Sequence, residues 1–221
     1  MIKEIIYGGD GIDEGLFLRS KKVIRENYEK SIDEKGNARV MFATSCGETS
    51  GILLHVASKI IPRADFKVVF VDHGLYNDGT YRNKRRLIEL LDINIISVRP
   101  QISDNSIYSL REEIEDGDYS NIASLGDILK KKPLQNALKN FGAKVCFFGA
   151  MKYETKNREN LKEVIFDDYL GVEKVYPLLN WTKEMTDLYI TNNGLPSYSH
   201  FDPTKINTKK ECGLHINGSG I

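Results

Sequence analysis

Residues 44–50 carry the groups best suited to binding an anion. They read Thr-Ser-Cys-Gly-Glu-Thr-Ser after an apolar run from Val40, and apolar residues recur at helical spacing from Leu53 onward. This change of period predicts a strand, a loop and a helix, and the N–H groups of such a loop and helix N-terminus can approach a phosphate or sulfate closely. The candidate anion-binding residues are Thr44, Ser45, Gly47 and Ser50. The alternative is an ordinary turn in which Thr49 or Ser50 caps the helix.

A second candidate segment ends the β-branched run of residues 66–71. It reads Asp72-His73-Gly74, and open parallel sheets present ligand-binding residues at the carboxyl ends of their strands. Asp72 is suited to accept a hydrogen bond from a hydroxyl group, and we expect Asp72 and Gly74 to shape part of a ligand site. A turn-forming Asp-x-Gly without a ligand is an equal alternative.

Basic residues follow a third apolar run, residues 143–149, which is predicted to be a buried strand. Lys152, Lys156 and Arg158 come just beyond its carboxyl end. Cations in that place suit an anionic ligand, so Lys152 and Arg158 are candidate binding residues. A solvated loop is the alternative.

The cysteines and histidines show no pattern of a metal site. No Cys-x-x-Cys pair occurs, and the number of cysteines is odd, which disfavours a disulfide framework. The histidines lack the close helical spacing of metal ligands, so we expect each to be structural or solvent-facing. These residues are Cys46, Cys146 and Cys212, and His55, His73, His200 and His215. No bound metal or cofactor is expected.

Length and charge narrow the class of protein. The 221 residues suit one α/β domain, and 31 basic residues balance 31 acidic ones, so no overall field favours nucleic acid or an acidic membrane. Apolar runs fall far short of the ~18 residues of a membrane span, and the first residues lack the order of a signal peptide. The sequence therefore predicts a cytoplasmic protein without a membrane partner.

The periodicity predicts a doubly wound α/β fold with a mostly parallel sheet. Strands ending near residues 44, 71 and 98 alternate with helices, which is the pattern of parallel strands joined by crossovers. An amphipathic helix is predicted from residue 16 to 30, another from Pro133, and a last one from residue 182 to 193, closed by Gly194. The polar residues 99–124 receive no assignment. We expect an α/β domain over residues 1–195 and an aperiodic, flexible tail over 196–221.

The ordered set of motifs resembles the phosphoadenosine phosphosulfate (PAPS) reductase family, the sulfonucleotide reductases of the PP-loop superfamily. The resemblance covers roughly residues 38–215. Each motif alone is weak evidence, but the whole set, occurring in the same order along the chain as in the family, is strong evidence. They are Thr44-Ser45-Cys46-Gly47 with Leu54-His55, Asp72-His73-Gly74 with Thr80-Tyr81-Arg82, the helix of residues 133–138, the loop of residues 149–161, the turn of residues 177–181, and Glu211-Cys212-Gly213-Leu214-His215.

The resemblance implies a mechanism. The Cys212 thiolate attacks the sulfur of a bound sulfonucleotide, and thioredoxin or glutaredoxin, as external reductant, then releases sulfite from the S-sulfocysteine. A thiolate needs cations nearby, and Lys209, Lys210 and His215 flank Cys212. In this reading, the lysines together with Lys152 and Arg158 neutralise anionic oxygens, and a flexible tail lets Cys212 meet both nucleotide and reductant.

Departures from the family pattern bear on the substrate. Cys46 and Thr49 replace the Gly and Asp of the ATP-cleaving PP-loop consensus, which favours the reductase branch. The cysteine pairs of the iron–sulfur reductases are absent, which indicates the cluster-free type that uses 3′-phosphoadenylyl sulfate. The loop motif Gly-Asp-x-x-Thr-Thr is also absent. Its loss fits two alternatives, a PP-loop enzyme that adenylates a substrate or moves sulfur to a nucleobase, and a nucleotide-binding protein without catalysis. The oligomeric state is left open, a homodimer included.

Overall fold

A computed structural model describes residues 11–116 and 125–197. Helices and strands alternate along these two stretches. The helices are α1 (Glu14–Ser31), α2 (Glu48–Ser58), α3 (Asp78–Leu91), α4 (Asp104–Glu115), α5 (Lys132–Phe141) and α6 (Lys183–Asn193). The strands are β1 (Val40–Thr44), β2 (Val68–Val71), β3 (Ile95–Val98), β4 (Val145–Phe148), β5 (Val164–Asp167) and β6 (Val172–Val175).

The strands form one six-stranded sheet in the order β3-β2-β1-β4-β6-β5. All neighbouring pairs are parallel except β5 and β6, which are antiparallel. This confirms the predicted doubly wound, mostly parallel α/β class. The chain runs outward from β1 to β2 and β3 and then returns to β4 on the other side of β1, so the topology reverses between β1 and β4.

Successive strand residues face opposite sides of the sheet, and each side is covered by helices. Phe42 and Phe147 stack at a ring-centroid distance of 4.8 Å within the larger core, which also holds residues of α1, α2 and α6. Met41 and Cys146, one position away, pack with Leu138 of α5 on the other side. Burial on both faces explains why the inner strands read as continuous apolar runs rather than alternating ones.

Helix ends follow local rules that the sequence reveals. Thr182 accepts a hydrogen bond from the Met185 N–H at the start of α6, and Gly194 closes that helix in the left-handed conformation, as predicted. Asn77 caps α3 in the same way through the Thr80 N–H. In the described stretches no helix is long and apolar enough to cross a membrane.

Helix α4 and strand β5 are among the elements that the sequence did not predict. Helix α4 lies within the polar residues 99–124, where its buried side is small and centres on Leu110, which packs with Leu75 and Leu129. Strand β5 is a four-residue edge strand that returns to β6 through a turn containing Gly171. Ile165 and Phe166 are exposed on it, so the segment carries no alternating pattern.

Candidate active site

The site is built where the topology reverses. In open α/β sheets the crevice for a ligand forms at the carboxyl ends of the strands on either side of such a reversal. The cradle of residues 44–50 follows β1, and Gly149 follows the neighbouring β4. The structure therefore brings together two segments that are separated by about a hundred residues in the sequence.

Hydroxyl groups fix the shape of the cradle. The Thr44 Oγ1 accepts a hydrogen bond from the Cys46 N–H at 2.9 Å and donates to the Ser50 Oγ at 3.1 Å. Ser50 donates in turn to the Gly47 carbonyl at 3.0 Å. Cys46 has a φ of 58°, in the left-handed region that non-glycine residues rarely adopt. Three of the predicted residues thus shape the loop through their own contacts.

Gly47, rather than Thr49 or Ser50, is the N-cap of α2. The alternative of a helix capped by either hydroxyl side chain is wrong, because Ser50 bonds back into the loop and Thr49 faces Glu154. Gly47 has no side chain to bond the first turn. An uncapped helix N-terminus with its partial positive charge suits an anionic ligand.

Gly149 comes so close to the first turn of α2 that only glycine fits. A Cβ at this position would lie 2.7 Å from the Ser50 N and Cα atoms and from the Thr49 carbonyl oxygen. Real Cβ atoms do not approach backbone so closely, so a side chain here would push the loop after β4 away from the cradle. The glycine is therefore needed for the close approach of the two segments.

The predicted basic residues lie in the loop after Gly149, and Arg158 is not free in solvent. It forms an ion pair with Glu154, and its side chain is 12 % exposed. Glu154 also accepts from the Met151 N–H at 2.8 Å and lies 3.5 Å from the Thr49 hydroxyl. Burial raises the pKa of Glu154, and Arg158 opposes that rise. Lys152 is held through its backbone, which donates to Leu179 at 2.9 Å.

The turn of residues 72–74 stands at the end of β2, next to β1. Asp72 Oδ1 accepts from the Gly74 N–H at 3.2 Å and from the Tyr81 hydroxyl at 2.8 Å, and its Oδ2 lies 3.7 Å from Arg99 Nη2. Burial and the bond to Asp72 raise the pKa of Tyr81 to about 12. Arg111 donates to the Gly74 carbonyl. Sequence reasoning did not select Arg99 or Arg111.

His73 lies at the centre of the same turn and is fully buried. Its ring stacks on Tyr76 with 3.9 Å between centroids, and its Nδ1 accepts from the Leu75 N–H at 3.1 Å. Burial and the charge of Lys130 lower the pKa of His73 to about 3, so the ring is neutral. These contacts agree with the expectation of a structural histidine, and the Nε2 atom is buried with no hydrogen-bond partner among the residues that the structure describes.

The two described cysteines are unsuited to attack a substrate. Cys46 and Cys146 are both buried and not disulfide-bonded. Burial raises the pKa of Cys146 to about 12, which agrees with its predicted place in the core. Within residues 11–116 and 125–197 no group of three or more His, Cys, Asp or Glu residues is arranged to hold a metal ion.

The predicted nucleophile and its basic neighbours lie outside the described residues. They are Cys212, Lys209, Lys210 and His215. Ser197, the last residue that the structure describes, is buried and donates a hydrogen bond to Glu48, the first residue of α2. The chain therefore leaves the described part of the molecule beside the cradle.

The fold and the site define an α/β protein with a strand–loop–helix at its topological switch point. A family model described as "Phosphoadenosine phosphosulfate reductase domain" matches residues 39–202. The chain belongs to this family. The resemblance stated from the motifs is thus confirmed, together with the PP-loop type of fold and the enzyme class, an oxidoreductase that acts on sulfur groups.

Individual relatives agree with the family. A phosphoadenosine 5′-phosphosulfate reductase of Synechocystis sp. is 26% identical over 203 residues, covering 80% of each chain. One from Alkalilimnicola ehrlichii is 29% identical over 201 residues, again covering 80% of each. Among solved structures, a PAPS reductase from Candida auris in complex with phosphate matches with a TM-score of 0.60 at 21% identity, covering 80% of this chain and 81% of that one.

The fold is shared more widely than the activity. Candida glabrata FMN adenylyltransferase, in complex with FMN and an ATP analogue, matches with a TM-score of 0.57 at 14% identity. The match covers 80% of this chain and 54% of that one. Similarity at this level describes the architecture alone.

Proposed function

We propose that this protein is a thiol-dependent reductase of 3′-phosphoadenylyl sulfate that releases sulfite and adenosine 3′,5′-bisphosphate. The main support for the proposal is the N-terminus of α2, which lies at the topological switch point of the sheet. It has no side-chain cap, and its first turn lies in close contact with Gly149. This geometry offers backbone N–H groups to the phosphate and sulfate oxygens of a sulfonucleotide. Membership of the family supplies the kind of nucleotide.

Binding uses the cradle for the 5′ anion and the basic loop for its outer oxygens. Thr44 and Ser50 hold the loop open for the ligand, while Lys152 and Arg158 contribute positive charge from the loop after β4. Arg158 reaches the ligand from its ion pair with Glu154, which keeps the guanidinium near the first turn of α2. Asp72 and Gly74 shape the adenosine side, one strand away.

The chemical step is a displacement at sulfur. The Cys212 thiolate attacks the sulfur atom of the sulfonate, a new S–S bond forms, and the S–O bond to the nucleotide breaks. The electron pair of that bond leaves with the phosphate oxygen of adenosine 3′,5′-bisphosphate. Lys209, Lys210 and His215 favour the thiolate of Cys212, and cations around the cradle stabilise the departing phosphate.

A dithiol reductant completes the cycle. One thiolate of thioredoxin or glutaredoxin attacks the sulfur of Cys212, sulfite leaves, and a mixed disulfide remains. The second thiol of the reductant resolves this disulfide, which returns Cys212 as a thiolate and leaves the reductant oxidised by two electrons. Sulfite thereby receives the electron pair of the S–S bond that formed in the first step.

The stretch of chain between Ser197 and Cys212 is long enough for Cys212 to meet first the nucleotide and then the reductant. Ser197 is anchored at Glu48 beside the cradle, and about 15 residues separate it from Cys212. A chain of that length spans at most roughly 50 Å when extended. Cys212 can therefore reach both the cradle and a second protein at the surface.

Sulfite release from 3′-phosphoadenylyl sulfate with a thioredoxin system tests the proposal. We expect sulfite and adenosine 3′,5′-bisphosphate in equal amounts, with full activity in the control Cys46→Ala and none in Cys212→Ser. Pyrophosphate release from ATP without any reaction of the sulfonucleotide would replace the reductase by an adenylating enzyme. Nucleotide binding without either reaction would indicate a non-catalytic protein.

A further inference from the structure

Helix α4 packs in a small hydrophobic cluster of its own. Leu110 of α4 is buried and lies with Leu75 and Leu129, and Ile102 and Ile107 are half-buried against the same three residues. The two larger clusters, which enclose the sheet, contain no residue of α4 among those that the structure describes. Helix α4 therefore contributes to neither of the cores on which the sheet depends.

Few side chains of α4 are removed from water. Among residues 104–113, whose side chains the structure describes, Leu110 alone is buried, whereas eight of the eleven residues of α2 are buried. A segment with few buried apolar contacts opens at a lower free energy than the whole fold. The opening of α4 therefore does not require the sheet to unfold.

The first turn of α4 is held by bonds within the segment itself. The Ser103 hydroxyl accepts a hydrogen bond from the Ser106 N–H at 3.2 Å, and the Ser103 carbonyl accepts from the Ile107 N–H at 3.2 Å. A side-chain cap of this kind satisfies backbone donors at the start of a helix. Because these bonds do not involve the rest of the fold, α4 can move away as one piece.

Two contacts join α4 to the turn of residues 72–74. Arg111 donates through Nη2 to the Gly74 carbonyl. A Cβ at Gly74 would lie 3.2 Å from Ile107 Cγ2, so Ile107 packs directly against the glycine. Gly74 has a φ of 77°, and its N–H donates to Asp72 Oδ1 at 3.2 Å. Helix α4 in its closed position thereby supports the conformation of the turn.

We propose that α4 is a cover on the turn of residues 72–74, which opens as a unit while the sheet stays folded and closes when a nucleotide binds. Closing by the nucleotide rests on the proposed function, in which Asp72 and Gly74 shape the adenosine side. A ligand that binds the supported turn more tightly than the loosened turn shifts α4 toward its closed position by that difference in affinity. The opening itself depends on no ligand.

Hydrogen–deuterium exchange of the free protein, followed by peptide mass spectrometry, measures the opening. After correction for intrinsic rates, the amides of residues 108–113 should exchange at least about a hundredfold faster than those of α2. Arg111→Gln removes the charged donor to Gly74 and should speed the exchange of α4 about tenfold, as expected for the loss of such a hydrogen bond. Ile107→Ala should also speed it, and neither variant should change the exchange of α2.

Arg85→Gln is the matched control, because Arg85 is exposed on α3 and its replacement removes the same charge. Exchange of α4 in this variant should equal that of the wild type. If α4 and α2 exchange at equal rates in the free protein, or if Arg111→Gln and Ile107→Ala both leave the exchange of α4 unchanged, the opening is overturned.

Saturating adenosine 3′,5′-bisphosphate tests the closing. It should slow the exchange of α4 in the wild-type protein by at least about tenfold, within the usual range of coupling between two sites. Calorimetric binding of the bisphosphate without slower exchange of α4 would overturn closing by the nucleotide. Absence of binding would contradict the proposed function, whereas the opening of α4 would still be decided by exchange in the free protein.

Discussion

Arg158 and Glu154 form an ion pair that connects the basic loop after β4 to the cradle of residues 44–50. Glu154 reaches the Thr49 hydroxyl in the first turn of α2 at 3.5 Å and accepts the Met151 N–H at 2.8 Å. The arginine is thereby held next to the helix N-terminus before any ligand arrives. Preorganised charge of this kind strengthens binding because little is lost in ordering it.

Replacing Arg158 with alanine should weaken nucleotide binding by about 1.5–3 kcal/mol, the range for a lost charge-assisted hydrogen bond. Titration calorimetry with adenosine 3′,5′-bisphosphate measures the change. Lys156→Ala is the control, because Lys156 lies in the same loop but is exposed and outside the ion pair. Unchanged affinity in Arg158→Ala would assign the loop to the solvated surface.

The variant Glu154→Gln tests whether the carboxylate of Glu154 positions Arg158 for the ligand or competes with the ligand for it. Gln keeps acceptor and donor groups but removes the charge that pairs with Arg158. We expect weaker nucleotide binding than wild type and stronger binding than Arg158→Ala, measured by the same calorimetry. Tighter binding in Glu154→Gln would mean that the carboxylate competes with the ligand for Arg158 instead of positioning it.

Gly149→Ala should damage both the fold and the site. Its Cβ would meet the Ser50 backbone at 2.7 Å, and overpacking of this kind costs about 1–3 kcal/mol of unfolding free energy. Chemical denaturation measures the cost, and calorimetry measures the accompanying loss of nucleotide affinity. Gly126→Ala is the matched control, because nothing lies within 4 Å of its added Cβ. Equal behaviour of the two variants would disprove the close approach.

The free energy of unfolding should fall when the pH drops below the pKa of an ordinary histidine. His55 is buried in α2 with its Nδ1 2.9 Å from the Tyr189 hydroxyl, and burial lowers its pKa from 6.5 to about 4. Its contribution to stability is therefore complete above pH 6.5 and is lost as the pH falls toward 4. In that window, the slope should be about 1.4 kcal/mol per pH unit for this group.

Denaturant unfolding of wild type and His55→Gln between pH 7 and pH 4 measures this slope. Gln keeps a hydrogen-bonding group for Tyr189 but does not titrate, so the variant should lose part of the slope. His73, whose pKa is also lowered by burial, supplies a second contribution that remains in the variant. Identical pH dependence in both proteins would show that His55 is not the responsible group.

Much of the site follows from local sequence. The change from strand to helix period located the cradle, because residues 40–58 fold by near-neighbour rules that the sequence displays directly. The turn of residues 72–74 and the end of α6 at Gly194 were predicted for the same reason. Each of these features depends on residues only a few positions apart.

Contacts across the fold were not visible in the sequence. Gly149 meets Ser50 because β1 and β4 are neighbours, a pairing that the order of the strands along the chain does not reveal. Arg99 and Arg111 reach the turn of residues 72–74 from β3 and α4, and α4 itself was hidden in a polar segment with a small buried side. Tertiary packing, rather than local propensity, decides such positions.

The central claim is that Cys212 is the nucleophile. Wild-type protein mixed with 3′-phosphoadenylyl sulfate, in the absence of any reductant, should gain the mass of one sulfonate group on Cys212 and release one equivalent of adenosine 3′,5′-bisphosphate. Cys212→Ser should still bind the bisphosphate, because the cradle and the basic loop are intact, and should form no adduct. Peptide mass spectrometry that finds the sulfonate on Cys46, or turnover that persists in Cys212→Ser, would contradict the account.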